Sequence, residues 1–230
     1  MTTSSVSVDP GRTLAELVAD NPTRVNTLEH LGLDYCCHGE RTLADACIEA
    51  ALDVEAVARE LVTSPANSDA PPAPSDPADL ASHIEATHHV YLRAELPAVA
   101  ELARKVRAVH GARHPELADV EELVDAMSAE LAPHFAIEEQ LVFPVARGAA
   151  PVDGLPARIA ELRHDHDALG ALLANLRATT GQYRPPADGC ASYTSLYERL
   201  ARLEADTHIH IHLENNVLLP AILQLPASPP

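Results

Sequence analysis

Two segments of this chain follow one pattern, and few folds can satisfy it. His134-Phe135-Ala136-Ile137-Glu138-Glu139-Gln140-Leu141-Val142-Phe143-Pro144 is echoed 76 residues later by His210-Ile211-His212-Leu213-Glu214-Asn215-Asn216-Val217-Leu218-Leu219-Pro220, with His, Glu and Pro at offsets 0, 4 and 10 in both. A histidine and a carboxylate four residues apart lie on one helix face. Two such pairs, each offering a nitrogen and an oxygen ligand, are what a two-metal site inside a helical bundle needs.

The pattern extends to four helical stretches in the second half of the chain, with breaks near residues 111–115, 148–156 and 181–189. Connections this short suit an antiparallel up-down four-helix bundle. In the first stretch Leu92, Leu96, Val99, Ala103 and Val106 step by three and four, and stepping back three places reaches His89. The second has Met127, Leu131, His134, Glu138, Leu141 and Val145. The third has Ile159, Leu162, His166, Leu169, Leu173 and Leu176. The fourth has Leu196, Leu200, Leu203, Thr207, His210, Glu214 and Val217. These are inward-facing seams. Their ligand-type insertions are His89, His134, His166, His210, Glu138 and Glu214. An ionised carboxylate buried without a partner is strongly unfavourable, and two cations shared among six such side chains would remove that penalty. His88, His164, His208 and His212 fall out of phase and are expected to be solvated or supporting groups. Pro133, inside the second helix, is expected to bend it.

Imidazole and carboxylate are borderline to hard ligands, and a structural zinc site would usually be tetrahedral and draw on cysteine. Six side chains shared by two ions leave positions open, and Glu138 and Glu214 can each bridge. That favours iron or manganese, with iron preferred because imidazole outnumbers carboxylate.

Composition narrows the class further. Aromatics are 3% and tryptophan is absent, which favours an all-α chain over sheets. The net charge of −18 argues against nucleic acid and anionic membrane surfaces as partners. No apolar run is long enough to span a bilayer, and the first residues lack the charged and apolar regions of a signal peptide. A cytoplasmic location is therefore expected.

Residues 63–77 are rich in proline and polar residues and read as a linker, able to reach roughly 45 Å at about 3.1 Å per residue. They separate a small helical domain (about 10–62) from the bundle (about 78–224). Within the small domain, Thr13 and Glu16 form a capping-box pattern. A second helix runs from about Pro22 to Leu31 and stops at Gly32. A third starts near Thr42 with Leu43, Cys47, Ala50 and Ala51 on one face, and a fourth starts at Asp53 with Val54, Val57 and Leu61 inward. Cys36 and Cys37 are adjacent and can hardly bridge each other without strain. They precede a helix start, where a thiolate is favoured.

The bundle resembles the hemerythrin-like di-iron proteins. The added Asp34-Tyr35-Cys36-Cys37 segment, followed by Thr42-Leu43-Ala44, makes nearly the whole chain (residues 14–219) similar to the repair-of-iron-centres family. His38-Gly39 departs from the two glycines expected after the double cysteine, and could add a ligand or fill a turn. The resemblance implies two non-haem irons, oxo-bridged when oxidised. It also implies repair of iron–sulfur clusters damaged by oxidative or nitrosative stress, through iron supplied from the site. Cys36 and Cys37 become thiol candidates that receive or relay iron, or reduce the site. Damaged iron–sulfur proteins, NO and O2 become the expected partners, with a second copy of the chain a further candidate. The alternatives are a nitric oxide or peroxide reductase and an oxygen or nitric oxide sensor.

Overall fold

The computed structural model describes residues 8–64, 73–150 and 153–225. Among these residues the regular structure is helical, and the one β feature is an isolated bridge between Thr13 and Thr42. Two compact units form. The first gathers the described residues up to Ala73 with His212–Val217, and the second holds the remainder. Most of the expected linker lies outside the described residues. Thr63 closes one helix before it and Pro77 opens another after it.

The first unit contains α1 (Leu14–Asp20), α2 (Arg24–His30), α3 (Leu43–Glu49) and α4 (Val54–Thr63). Their starts are written in the sequence. Thr13 and Glu16 complete a reciprocal capping box, and Thr42 and Asp53 cap α3 and α4 through their side chains. Backbone bonds from Leu14 to Arg41 and from Leu43 to Arg12, both 2.9 Å, tie the starts of α1 and α3 together. Leu14, Leu17, Leu28, Leu43, Cys47 and Leu61 fill the core. One expectation is corrected. Ala50 and Ala51 do not extend the inner face of α3, because Ala51 turns left-handed (φ 54°) and the Leu52 amide caps Cys47 at 2.8 Å.

The remaining helices form four rods, the last of which includes the His212–Val217 stretch grouped with the first unit. The first joins α5 (Pro77–Ile84) to α6 (Val90–His110) through a π-helical segment, Glu85–His89. The second joins α7 (Leu117–Ile137) to α8 (Phe143–Ala146) through Glu138–Val142. The third is α9 (Leu155–Thr179), and the fourth joins α10 (Ala191–Leu213) to α11 (Leu219–Leu223) through Glu214–Leu218. Cross-rod pairs run in opposite directions. Arg93 meets Glu139 while Arg104 meets Asp125, and His88 meets Asp206 while Glu95 meets Arg199. This is the up-down arrangement expected. The α7 helix runs through Pro133 to Ile137.

The π-helical segments change the seams in a way the repeat alone did not reveal. Leu141 and Val217, expected inward, are only half-buried, while the next residues, Val142 and Leu218, are fully buried. A π turn absorbs one more residue than an α turn, so the inward face slips by one position. Pro144 and Pro220 each stand two residues beyond such a segment. Proline lacks an amide hydrogen and its ring crowds the carbonyl four residues back, so a widened turn just ahead of it is a natural relief.

On α9 the predicted seam holds throughout, and Leu173 is fully buried. Leu173→Ala should lower the unfolding free energy by about 2–5 kcal/mol while leaving metal uptake unchanged. Urea unfolding of the metal-free protein measures the first and metal titration the second.

Candidate metal centre

All six predicted ligands are buried, none more than 4% exposed. His134 lies in the last turn of α7 and Glu138 opens the π segment after it. His89 closes the π segment before α6, and His166 lies mid-way along α9. His210 lies near the end of α10 and Glu214 opens the segment beyond. Ligand atoms of His89, Glu138, His210 and Glu214 all lie within 4.8 Å of one another, as do those of His134, Glu138, His166 and Glu214. Each set has two imidazoles, and both carboxylates belong to both sets.

The Nε2 atoms of His89 and His210 approach to 3.2 Å and those of His134 and His166 to 2.9 Å. Glu138 faces one imidazole from each set, with Oε1 at 3.1 Å from His134 Nε2 and Oε2 at 3.4 Å from His89 Nε2. Yet neither buried oxygen of Glu138 accepts a hydrogen bond. A carboxylate kept dry without hydrogen bonds is destabilising unless a cation meets it. That observation, with nitrogen and oxygen donors and no thiolate, fits a pair of divalent ions of the iron or manganese type.

Further groups orient these ligands. His89 Nδ1 donates to Glu139 Oε1 at 2.7 Å, and Arg93 grips the same carboxylate at 2.7 and 3.0 Å. Burial by itself would raise the Glu139 carboxyl, but the bonds from Arg93 and His89 outweigh it and hold Glu139 below the ordinary value. Glu139 therefore stays an acceptor and turns His89 Nε2 toward the site. Asp165 stands 3.5 Å from His134 Nδ1. The His89 ring lies against Phe135, centroids 4.2 Å apart, which fixes its plane.

Glu139, Arg93, Asp165 and Asp206 were not singled out from the sequence. For Glu139 a signal was available, because the first copy of the repeat reads Glu138-Glu139 where the second reads Glu214-Asn215. The out-of-phase histidines divide. His164 is exposed and His208 half-buried, but His88 and His212 are buried, contrary to a solvated role. His88 bonds Asp206 at 2.9 Å and stacks on His210 at 5.8 Å.

Cys36 is buried and Cys37 half-buried, with sulfurs 3.8 Å apart and no disulfide. The expected thiolate at a helix start is corrected for Cys36. Its bond to Cys37, its burial and the nearby Asp34 push its thiol well above the usual value. Cys47 is core, and exposed Cys190 meets His110 Nε2 at 3.2 Å.

A four-helix bundle with paired His and Glu sets is a cation-binding class of protein. Residues 80–222 match the Hemerythrin HHE cation binding domain, and residues 10–64 match ScdA_N, a domain of unknown function (DUF542). The iron-sulfur cluster repair protein ScdA of Staphylococcus haemolyticus is 32% identical, covering 89% of this chain and 95% of its own. The probable iron-sulfur cluster repair protein of Haemophilus influenzae is 31% identical over 91% and 96% of the two chains. The iron-sulfur cluster repair protein YtfE of Escherichia coli is 32% identical over 91% and 96%. The chain belongs to this hemerythrin-type iron–sulfur cluster repair family.

Replacing Glu139 by Gln keeps the shape but weakens the hold on His89 and Arg93. Metal affinity should fall by about 10- to 100-fold, measured by competition with a chelator, with helix content unchanged. Wild-type affinity in Glu139→Gln would remove the orienting role.

Proposed function

We propose that this protein restores iron–sulfur clusters damaged by oxidative or nitrosative stress, and that it does so by supplying iron from a binuclear site. The observation that carries the site is Glu138, its two dry oxygens set between imidazoles of both groups. His89, His134, Glu138, His166, His210 and Glu214 would hold two irons. Bound there, the irons would supply a change of oxidation state and open positions for diatomics such as NO and O2. The names of the relatives support damaged iron–sulfur proteins as clients.

The chain's own groups suit a store that gives iron up. The donors are imidazoles and carboxylates, without the thiolates that bind soft metals most firmly. Glu139 and Arg93 keep His89 in one tautomer, so metal exchange requires no tautomer change there. The proposed organisation is a small N-terminal domain (10–62), a linker (63–77) and the bundle (78–224). Among the described residues no helix is long and apolar enough to cross a membrane, and a cytoplasmic setting is part of the proposal. Within it, Cys36 and Cys37 receive or relay the iron.

The test is metal content and repair measured together on untagged protein. Two irons per chain are expected, with near-ultraviolet bands of an oxidised binuclear centre that are lost in His134→Ala and Glu214→Ala. Repair of a peroxide-damaged client should consume the bound iron in proportion. Zinc as the sole metal would sink the iron site, and sustained turnover of NO or peroxide without iron loss would establish the reductase instead. The double variant Cys36→Ala, Cys37→Ala should keep its iron and lose repair, and undiminished repair would remove the cysteines from the pathway.

A further inference from the structure

We propose that Asp34, Cys36 and Cys37 form a second metal site, for one thiophilic divalent ion such as Fe(II) or Zn(II), held by two thiolates and a carboxylate. Ligand atoms of these three residues lie within 4.8 Å of one another. The site shares no ligand with the bundle, and its metal binding does not rest on the repair reading. Its use as a way-station for iron does.

The loop between α2 and α3 is folded to bring both sulfurs to one place. Asp34 Oδ1 accepts from the amides of Cys36 and Cys37 at 3.1 and 2.9 Å, and Cys36 Sγ points back at the same oxygen at 3.3 Å. The two sulfurs stand 3.8 Å apart. Two thiolates on one tetrahedral ion, each bond ~2.3 Å, would stand about 3.8 Å apart. The observed spacing therefore matches two thiolates on a shared ion, and adjacent cysteines can bridge each other only with strain.

The backbone here is fixed from behind. Asn216 Nδ2 donates to the Cys36 carbonyl at 3.0 Å and to that of Tyr35 at 3.3 Å. Asn215 Nδ2 donates to Cys36 at 3.4 Å and His212 Nδ1 to Tyr35 at 3.3 Å. The Tyr35 ring is buried, and its hydroxyl donates to Glu29 at 3.0 Å. Gly39 closes the loop where a Cβ would come 2.5 Å from the Tyr35 carbonyl and 2.6 Å from Asn216 Oδ1. Only glycine fits that approach. Its neighbour His38 is exposed and holds Asp34 Oδ2 at 2.7 Å, which orients the carboxylate. Half-buried Cys37 gives the ion an entry path.

Binding is an exchange of protons for metal. One divalent ion forms two metal–sulfur bonds as both thiol protons leave to solvent, and no electrons move.

Sulfur separates this site from the bundle experimentally. Cobalt(II) is titrated into the full chain after its bundle is loaded with iron. One equivalent should raise a thiolate-to-cobalt charge-transfer band in the near ultraviolet. Cys36→Ser and Cys37→Ser should each abolish it, Asp34→Asn should weaken binding about 10-fold or more, and Cys190→Ser should change nothing. X-ray absorption at the zinc edge of the zinc-titrated chain should show sulfur neighbours at ~2.3 Å. Absence of any sulfur signal would overturn the proposal, as would a band that survives in the double serine variant or one cobalt per two chains. Sulfur-bound metal without repair activity would leave this site standing and sink only its use as a way-station.

Discussion

A carboxylate that is dry, ionisable and without a hydrogen bond governs the arrangement of this bundle. Glu138 sits fully buried with imidazoles of two helices on one side and one on the other. An interior of leucine and valine offers it no hydrogen bond, and cations held among the imidazoles would offset the cost of burying it. Everything around it follows from that requirement. The histidines need their Nε2 atoms inward, so their Nδ1 atoms need acceptors outward, and Glu139 and Asp165 stand there for His89 and His134. An acceptor for a buried imidazole must itself remain charged, and Arg93 sees to that for Glu139.

The π-helical segments belong to the same logic. A straight α-helix places successive inward residues at fixed angles, and a ligand has little freedom to leave its row. Three of the rods carry a π segment, and each segment begins or ends on a predicted ligand: His89, Glu138 and Glu214. Widened turns of this kind are frequent at functional sites because they change a side chain's aim without breaking the helix. The single rod without one, α9, contributes only His166.

The contrast between rods explains how much was legible in the sequence. On α9 every seam residue predicted, from Ile159 to Leu176, is buried. On the second and fourth rods the prediction holds as far as Glu138 and Glu214 and slips by one at Leu141 and Val217, because periodicity assumes a constant turn, although Val145 further along the second rod is buried as predicted. The proline at the end of each repeat was the visible trace of that slip, but its meaning required the backbone. The six candidate ligands stood out in the sequence because they repeat and because their type is costly in a core, and the structure gathers their donor atoms into two sets. Arg93 and Asp165 did not stand out, since an exposed or half-exposed charge on a helix looks like any solvated residue. Ala51 failed for a different reason: a left-handed alanine leaves no mark in composition or pattern.

Two kinds of metal chemistry follow from two kinds of fold. In the bundle, helices fix nitrogen and oxygen donors in a rigid, dry interior, which favours ions that accept hard and borderline ligands. At Asp34, Cys36 and Cys37, a short loop offers sulfur at a half-open surface, held at its amides by Asp34, at its carbonyls by Asn216 and at a close approach by Gly39. Under the proposal of a second site there, the pair, buried at Cys36 and half-buried at Cys37, would release its protons as an ion binds. The two donor sets thus differ in hardness, access and proton cost, so the loop would favour softer ions than the bundle.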